Sequence, residues 1–137
     1  MNQHTRLAGR DSLPDENDGS YEALCAKAAA TGCFDRVLRI ITGKWKTDIL
    51  WALGGGKLRF GELMRAMPGI TQHMLTAQLR DLERHGLVTR TAYPEVPPRV
   101  EYALTPAALA LRPVFQGLVD WAARHHEELN LPCDGEP

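Results

Sequence analysis

Residues 59–85, RFGELMRAMPGITQHMLTAQLRDLERH, constrain the chain more than any other stretch. Phe60, Leu63, Met64 and Met67 recur at helical spacing. Pro68-Gly69 then breaks the pattern, as that dipeptide does in turns. Thr71 follows, a residue whose hydroxyl can cap a new helix. Leu75, Leu79 and Leu82 sit at i, i+4 and i+7, so they share one helical face. Gln72, His73, Thr76 and Arg80 share the opposite one. A short helix, a turn and a second helix with an apolar inner seam and a hydrogen-bonding outer face reads as helix-turn-helix. An ordinary helical hairpin would show the same leucine seam.

The flanks decide between the two. Gly86 stands where a C′ glycine ends the second helix. Leu87–Thr91 and Val100–Leu104 are then β-compatible runs. Tyr93-Pro94-Glu95-Val96-Pro97-Pro98-Arg99 joins them, and its three prolines stiffen the loop against a tight turn. A hairpin directly after such a helix is a wing. The fold class expected is therefore mainly α with a small β-wing (α+β), a winged helix-turn-helix.

Upstream, Phe34, Val37, Leu38 and Ile41 form one apolar helical face, closed by Thr42-Gly43. Trp45, Ile49, Leu50 and Leu53 form the next, stopped by Gly54-Gly55-Gly56. Those glycines follow a helix rather than a strand and lack the Lys-Ser or Lys-Thr pair of a phosphate loop. Tyr21–Ala30 is alanine-rich and reads as an additional helix. Lys57–Arg59 is a short extended piece. Downstream, Thr105-Pro106 is an N-cap with proline at N1. Pro113 starts a longer helix whose Val114, Phe115, Leu118, Val119 and Trp121 make a wide apolar surface. Residues 1–20 are polar and aperiodic, read as a disordered tail. Residues 21–131 are expected to form one domain with its dimerisation helices, and residues 132–137 a second tail.

At 137 residues one domain is the natural expectation. No apolar run approaches the roughly 20 residues of a membrane span. The polar, acidic N-terminus lacks a signal peptide's apolar core, so a cytoplasmic protein with no membrane partner is expected. The net charge of −1 argues against nucleic acid only until it is mapped. Between Cys33 and Leu104 there are eleven Lys or Arg against seven Asp or Glu, whereas the rest holds five against ten. The centre is basic by four charges and the flanks acidic by five, and the local face is what a polyanion meets.

Catalytic and metal chemistry find no support. His4, His73, His85, His125 and His126 lack metal-ligand spacing, and no nucleophile–base constellation can be argued. Cys25, Cys33 and Cys133 are odd in number and lack a zinc pattern. No catalytic residue, metal or cofactor is assigned, and the chain is read as a non-enzyme.

Together the segments GKW (43–45), RFGEL (59–63), PGITQHML (68–75), LRDLE (79–83), HGLV (85–88), YPEVPPRVEY (93–102) and LT (104–105) resemble the HxlR-type transcription regulators. These are winged-helix proteins related in fold to the MarR regulators. The match runs from Cys33 to about Trp121, and its wing segment is the most distinctive part. The resemblance implies a bacterial homodimer on an inverted-repeat, double-stranded DNA operator, with the Thr71 helix in the major groove and the wing near backbone or minor groove. The family often has Ser where this chain has Thr71, and Lys where it has His73.

In that setting Gln72, His73 and Thr76 lead the reading helix. Gln pairs well with adenine and Arg with guanine or phosphate. Arg80 lies on the same side and reaches either a phosphate or an acidic neighbour. Lys44 and Arg59 stand at helix starts as candidate phosphate contacts. Arg90 and Arg99 flank the wing, each either a phosphate clamp or a partner for Glu95 or Glu101. Phe34, Val37, Phe115, Leu118 and Trp121 are the candidate dimerisation residues. Cys33 occupies the place where redox- or quinone-sensing relatives carry a reactive cysteine. It is either a sensing thiol, with Cys25 or Cys133 to resolve it, or a small apolar residue packed at the dimer contact. An oxidant or quinone is the effector on the first reading. Two alternatives stay open: a small molecule sensed in the dimer crevice without cysteine chemistry, and a winged-helix module that binds protein.

Overall fold

A computed structural model describes residues 19–130. The two tails, and with them Cys133 and nearly all of residues 1–20, lie outside the described residues. The chain divides into two compact units, one up to Gly43 and one from Lys44.

The first unit contributes α1 (Tyr21–Thr31) and α2 (Phe34–Thr42). Ser20 caps α1, its Oγ accepting from Ala23 N at 3.1 Å. Gly32 ends it in the left-handed conformation. Among the described residues none of α1 is fully buried. In α2 the face carrying Phe34, Val37 and Leu38 is exposed.

The second unit runs α3 (Lys44–Leu53), β1 (Leu58–Arg59), α4 (Phe60–Ala66), α5 (Gln72–Arg84), β2 (Val88–Tyr93), β3 (Arg99–Leu104), α6 (Pro106–Leu109) and α7 (Arg112–His125). Its core joins Ile49, Leu50 and Leu53 of α3, Leu63 of α4, and Leu75, Leu79 and Leu82 of α5. Met67, Ile70, Leu87, Val88, Tyr102 and Ala108 also belong to it. This is the leucine seam expected from the spacing, closed against two helices and the wing.

The wing strands extend slightly beyond the expected runs. Their pairing is antiparallel, from Val88 opposite Leu104 to Tyr93 opposite Arg99. The short extended piece at Leu58–Arg59 adds a third strand, opposite Tyr102 and Glu101, so the sheet order is β1-β3-β2 rather than a bare hairpin. Two residues are too few to show alternation, which hides this strand in the sequence. No helix among the described residues is long and apolar enough to cross a membrane.

Candidate nucleic-acid interface

Thr71 starts α5 as expected. Its extended backbone turns the chain, and its Oγ1 accepts from Met74 N at 3.0 Å. Gly69 before it takes φ 93°, which a side chain rarely tolerates. At the far end Gly86 takes φ 76°, and Leu87 N returns to Leu82 O at 2.9 Å. Thr105 then locks the wing to this terminus: its N donates to Leu87 O at 3.1 Å and its Oγ1 to Gly86 O at 2.7 Å. The end of β3 is thus fixed to the end of α5 by hydrogen bonds.

With the leucine seam buried, Gln72, His73, Ala77 and Arg80 are exposed on the other side of α5. Thr76 is half-buried, and its hydroxyl donates back to Gln72 O at 2.9 Å. That bond commits its proton and leaves a methyl and acceptor lone pairs for any partner. Ala77 was missing from the sequence reading because periodicity marks an alanine as neither apolar nor polar. Its small side chain lies one turn after His73 on the exposed face.

A crevice of about 550 Å³ separates α5 from the sheet. Gln72, Thr76, Arg80 and Glu83 line one wall and Arg90, Val100 and Tyr102 the other. The structure thereby brings Arg90 of the wing together with Gln72, Thr76 and Arg80, which the sequence already placed on one helical face. Among the described residues neither Arg80 nor Arg90 forms an ion pair. The neighbours considered for Arg80 are used otherwise. Asp81 pairs with Lys46 Nζ of α3 at 2.7 Å and with Arg84. Lys46 above all, with help from Arg84, holds the Asp81 carboxyl below its ordinary 3.8 against a partial desolvation cost. This cross-helix pair fixes α5 on α3. It escaped the sequence reading because its members are far apart in the chain.

Arg99 differs from Arg90. Its guanidinium stacks 4.0 Å from the Tyr93 ring centroid and pairs with Glu95 Oε1 at 3.2 Å. The Tyr93 hydroxyl in turn hydrogen-bonds Glu101, and with Lys57 and Arg99 nearby it holds that carboxyl below the ordinary 4.5. Of the two roles open to Arg99, the intramolecular one is occupied. Arg59 is exposed, but its backbone N–H donates to Glu62 Oε1 at 2.9 Å, so a carboxylate already serves the start of α4. Lys44 is exposed at the start of α3, with its ammonium 5.0 Å from the Trp45 ring centroid.

The remaining candidates lie elsewhere. Cys33 is the N-cap of α2, half-buried and without a side-chain cap bond. It lines a cavity of about 390 Å³ together with Cys25. Phe115 meets Trp51 edge-on at 5.0 Å between ring centroids, so part of its apolar surface is used within its own unit. Leu118 and Trp121 are exposed.

A capped reading helix on a buried seam, a break before it and a three-stranded wing after it define a winged helix-turn-helix of the DNA-binding regulator class. A model of the HxlR-like helix-turn-helix family matches residues 40–130, and the chain belongs to that family. It is 41% identical over 124 residues to an uncharacterised HTH-type transcriptional regulator of Methanothermobacter thermautotrophicus, covering 89% of each chain. Among solved structures, a transcriptional regulator described as of the MarR family from Enterococcus faecalis is 42% identical. It superposes with TM-score 0.66 over 73% of this chain and 91% of that one. The redox regulator HypR in its reduced form is also 42% identical, with TM-score 0.65 over 70% of this chain and 95% of its own. The chain is thus a MarR-like transcriptional regulator with a helix-turn-helix, not an enzyme.

Proposed function

We propose that the protein binds an inverted-repeat operator as a homodimer, with α5 in the major groove and the wing on the adjacent backbone. The observation that carries this reading is the division of α5. One face is wholly committed to the core, and the other presents Gln72, His73, Ala77 and Arg80 to solvent with no ion pair among the described residues. Thr71 sets the helix start, Gln72 and His73 meet base edges, and Thr76 and Ala77 meet apolar base surface such as a thymine methyl. Arg80 and Arg90 hold phosphates from opposite walls of the crevice, and Lys44, Arg59 and Arg99 are further candidates for backbone contacts. The dimer covers Phe34 and Val37 of α2, and Leu118 and Trp121 of α7 with the free part of Phe115. Two-fold symmetry then spaces the reading helices by about one DNA turn, roughly 34 Å.

Footprinting on the DNA upstream of its own gene tests the reading. A protected inverted repeat that Gln72→Ala weakens more than it weakens random DNA is the expected result. Equal affinity for all sequences would overturn operator recognition, and binding to protein alone would favour the protein-interaction module.

A second reading concerns control. Cys33 caps α2 and shares a cavity with Cys25, and the similar protein HypR is described as a redox regulator. On this reading an oxidant or quinone modifies Cys33 and releases the DNA. Diamide then lowers operator affinity of the wild type and leaves Cys33→Ser unaffected. Equal loss in both proteins would remove the cysteine and leave a non-thiol effector.

A further inference from the structure

The outer side of α3 carries two tryptophans with a carboxylate between them. At about 100° per residue, Trp45 and Trp51 stand roughly 120° apart around the helix, and Asp48 falls midway. All three line a cavity of about 600 Å³ that lies between α3 and the end of α4. Buried Met67 and exposed Pro68 form its other wall. Phe115 packs edge-on against Trp51 at 5.0 Å between ring centroids, yet Trp51 stays 53% exposed.

Among the residues lining this cavity Asp48 alone is charged. It is exposed and forms no ion pair among the described residues. Lys44 stands one turn earlier, where a helix would place its partner. The Lys44 ammonium lies instead 5.0 Å from the Trp45 ring centroid, so that indole already takes a cation. Besides Asp48, the Thr47 hydroxyl is the other polar side chain of the lining. A primary ammonium brings three N–H donors and would lose hydration here without enough acceptors. A quaternary ammonium has no N–H to satisfy, and indole faces beside a carboxylate are its complement. The volume lies within the ~300–1,000 Å³ of small-molecule sites.

We infer that this cavity binds a small quaternary ammonium compound, its cationic head between Trp45 and Trp51 and beside the Asp48 carboxylate. Pro68 stands shortly before Thr71, the cap of α5, so a molecule bound against it touches the segment that sets the start of that helix. An effect on DNA rests on the operator reading proposed above. The binding itself does not.

The probe is benzyltrimethylammonium, titrated into the ¹⁵N-labelled full chain without DNA. Three tryptophans give three indole N–H signals, and Trp121, exposed on α7, serves as the control. The expected result is a saturable shift of the Trp45 and Trp51 indoles and of the Met67 amide, with Trp121 unmoved. Asp48→Asn weakens the probe about threefold, the size of an exposed charge pair. Trp51→Leu weakens it about fivefold, the loss of one cation–π contact. Neutral benzyl alcohol and the primary benzylammonium each bind the wild type more weakly than the probe. Asp48 is exposed, so the variant's unchanged spectrum elsewhere confirms its fold. No saturable shift at millimolar probe overturns the site, as do equal affinities in either variant or for benzyl alcohol. Benzylammonium binding as tightly as the probe overturns the quaternary preference. A Trp121 shift equal to the other two overturns the site as a general attraction of the cation to exposed indole. Trp45 and Trp51 signals that move with protein concentration but not with probe overturn it too, and assign the cavity to a second copy. Operator affinity is then measured by anisotropy with and without the probe at constant ionic strength. A changed affinity supports the effect on α5, and an unchanged one with the indole shifts intact overturns that effect alone.

Discussion

Helices α5 and α7 are nearly equal in length and opposite in how they are completed. In α5 the leucines are sealed, from 0% exposure at Leu75 and Leu82 to 2% at Leu79, and only polar or small side chains face out. In α7 no residue is buried, and Leu118 and Trp121 are 54% and 45% exposed. Helix α5 is also tied across to α3 through Asp81, and at its end to the wing through Thr105. The side-chain hydrogen bonds of α7 run within its own segment, from Gln116 to Asp120 and between His125 and Glu128. One helix is finished inside a single chain, and the other carries apolar surface that the described residues do not cover. Removing apolar area from water is worth about 25 cal/mol per Å², so bare leucine and tryptophan at helical spacing are a reason to associate.

The largest test of this contrast is to cut into both seams alike. Leu79→Ala removes a side chain packed on all sides and costs about 2–5 kcal/mol in urea denaturation. That is a large share of the roughly 5–15 kcal/mol of a typical domain. Leu118→Ala removes exposed atoms and leaves the unfolding of a dilute monomer within about 0.5 kcal/mol of wild type. Equal losses would show that α7 is covered within its own chain.

The next effect reads the same difference as assembly. Leu118→Asp places a charge on the outer face of α7 and shifts micromolar protein to monomer in sedimentation, with the helix content kept. Operator affinity falls with it, because two half-sites no longer act together. A wild-type protein that is itself monomeric would refute the role given to this face.

How much of the contrast was legible in the sequence follows from how local each cause is. The Thr71 cap, the Leu75–Leu79–Leu82 seam, the Gly86 stop and Pro106 at N1 are local devices, and each stands where its spacing put it. The strands of the wing were legible for the same reason. Arg99 was not, since the choice between phosphate and Glu95 depends on where the Tyr93 ring lies. Lys46 with Asp81, and Leu58 with Tyr102, are pairings between distant segments that no periodicity announces. Phe115 looked like its apolar neighbours on α7 until Trp51 was found against it.

A smaller effect separates the wing arginines. Arg80→Ala and Arg90→Ala each remove a guanidinium with no ion pair among the described residues, and each lowers the salt slope of DNA binding by about 1. Arg99→Ala removes one already held by Glu95 and Tyr93, and changes the slope less. Fluorescence anisotropy across a salt series gives all three slopes. A larger change for Arg99 would mean that its partners release it when DNA is bound.

The smallest effect tests the tie that holds α5 to α3. Asp81 pairs with Lys46 while both are largely screened from water, and its carboxyl titrates below the ordinary 3.8. A depressed carboxyl binds fewer protons in the folded chain than in the unfolded one. It therefore stabilises fully above that ordinary value, and the contribution is lost as pH falls through its lower, folded one. At pH 7 Asp81→Asn costs about 1 kcal/mol or less, the size of a partly exposed pair. Other carboxyls titrate over the same acid range, so the informative quantity is the gap between wild type and variant in urea midpoints. The gap is open at pH 7, stays open to about pH 4, and closes below it. A gap that stays constant into the acid range would mean that Asp81 supports α5 through its shape and hydrogen bonds, with no part for its charge.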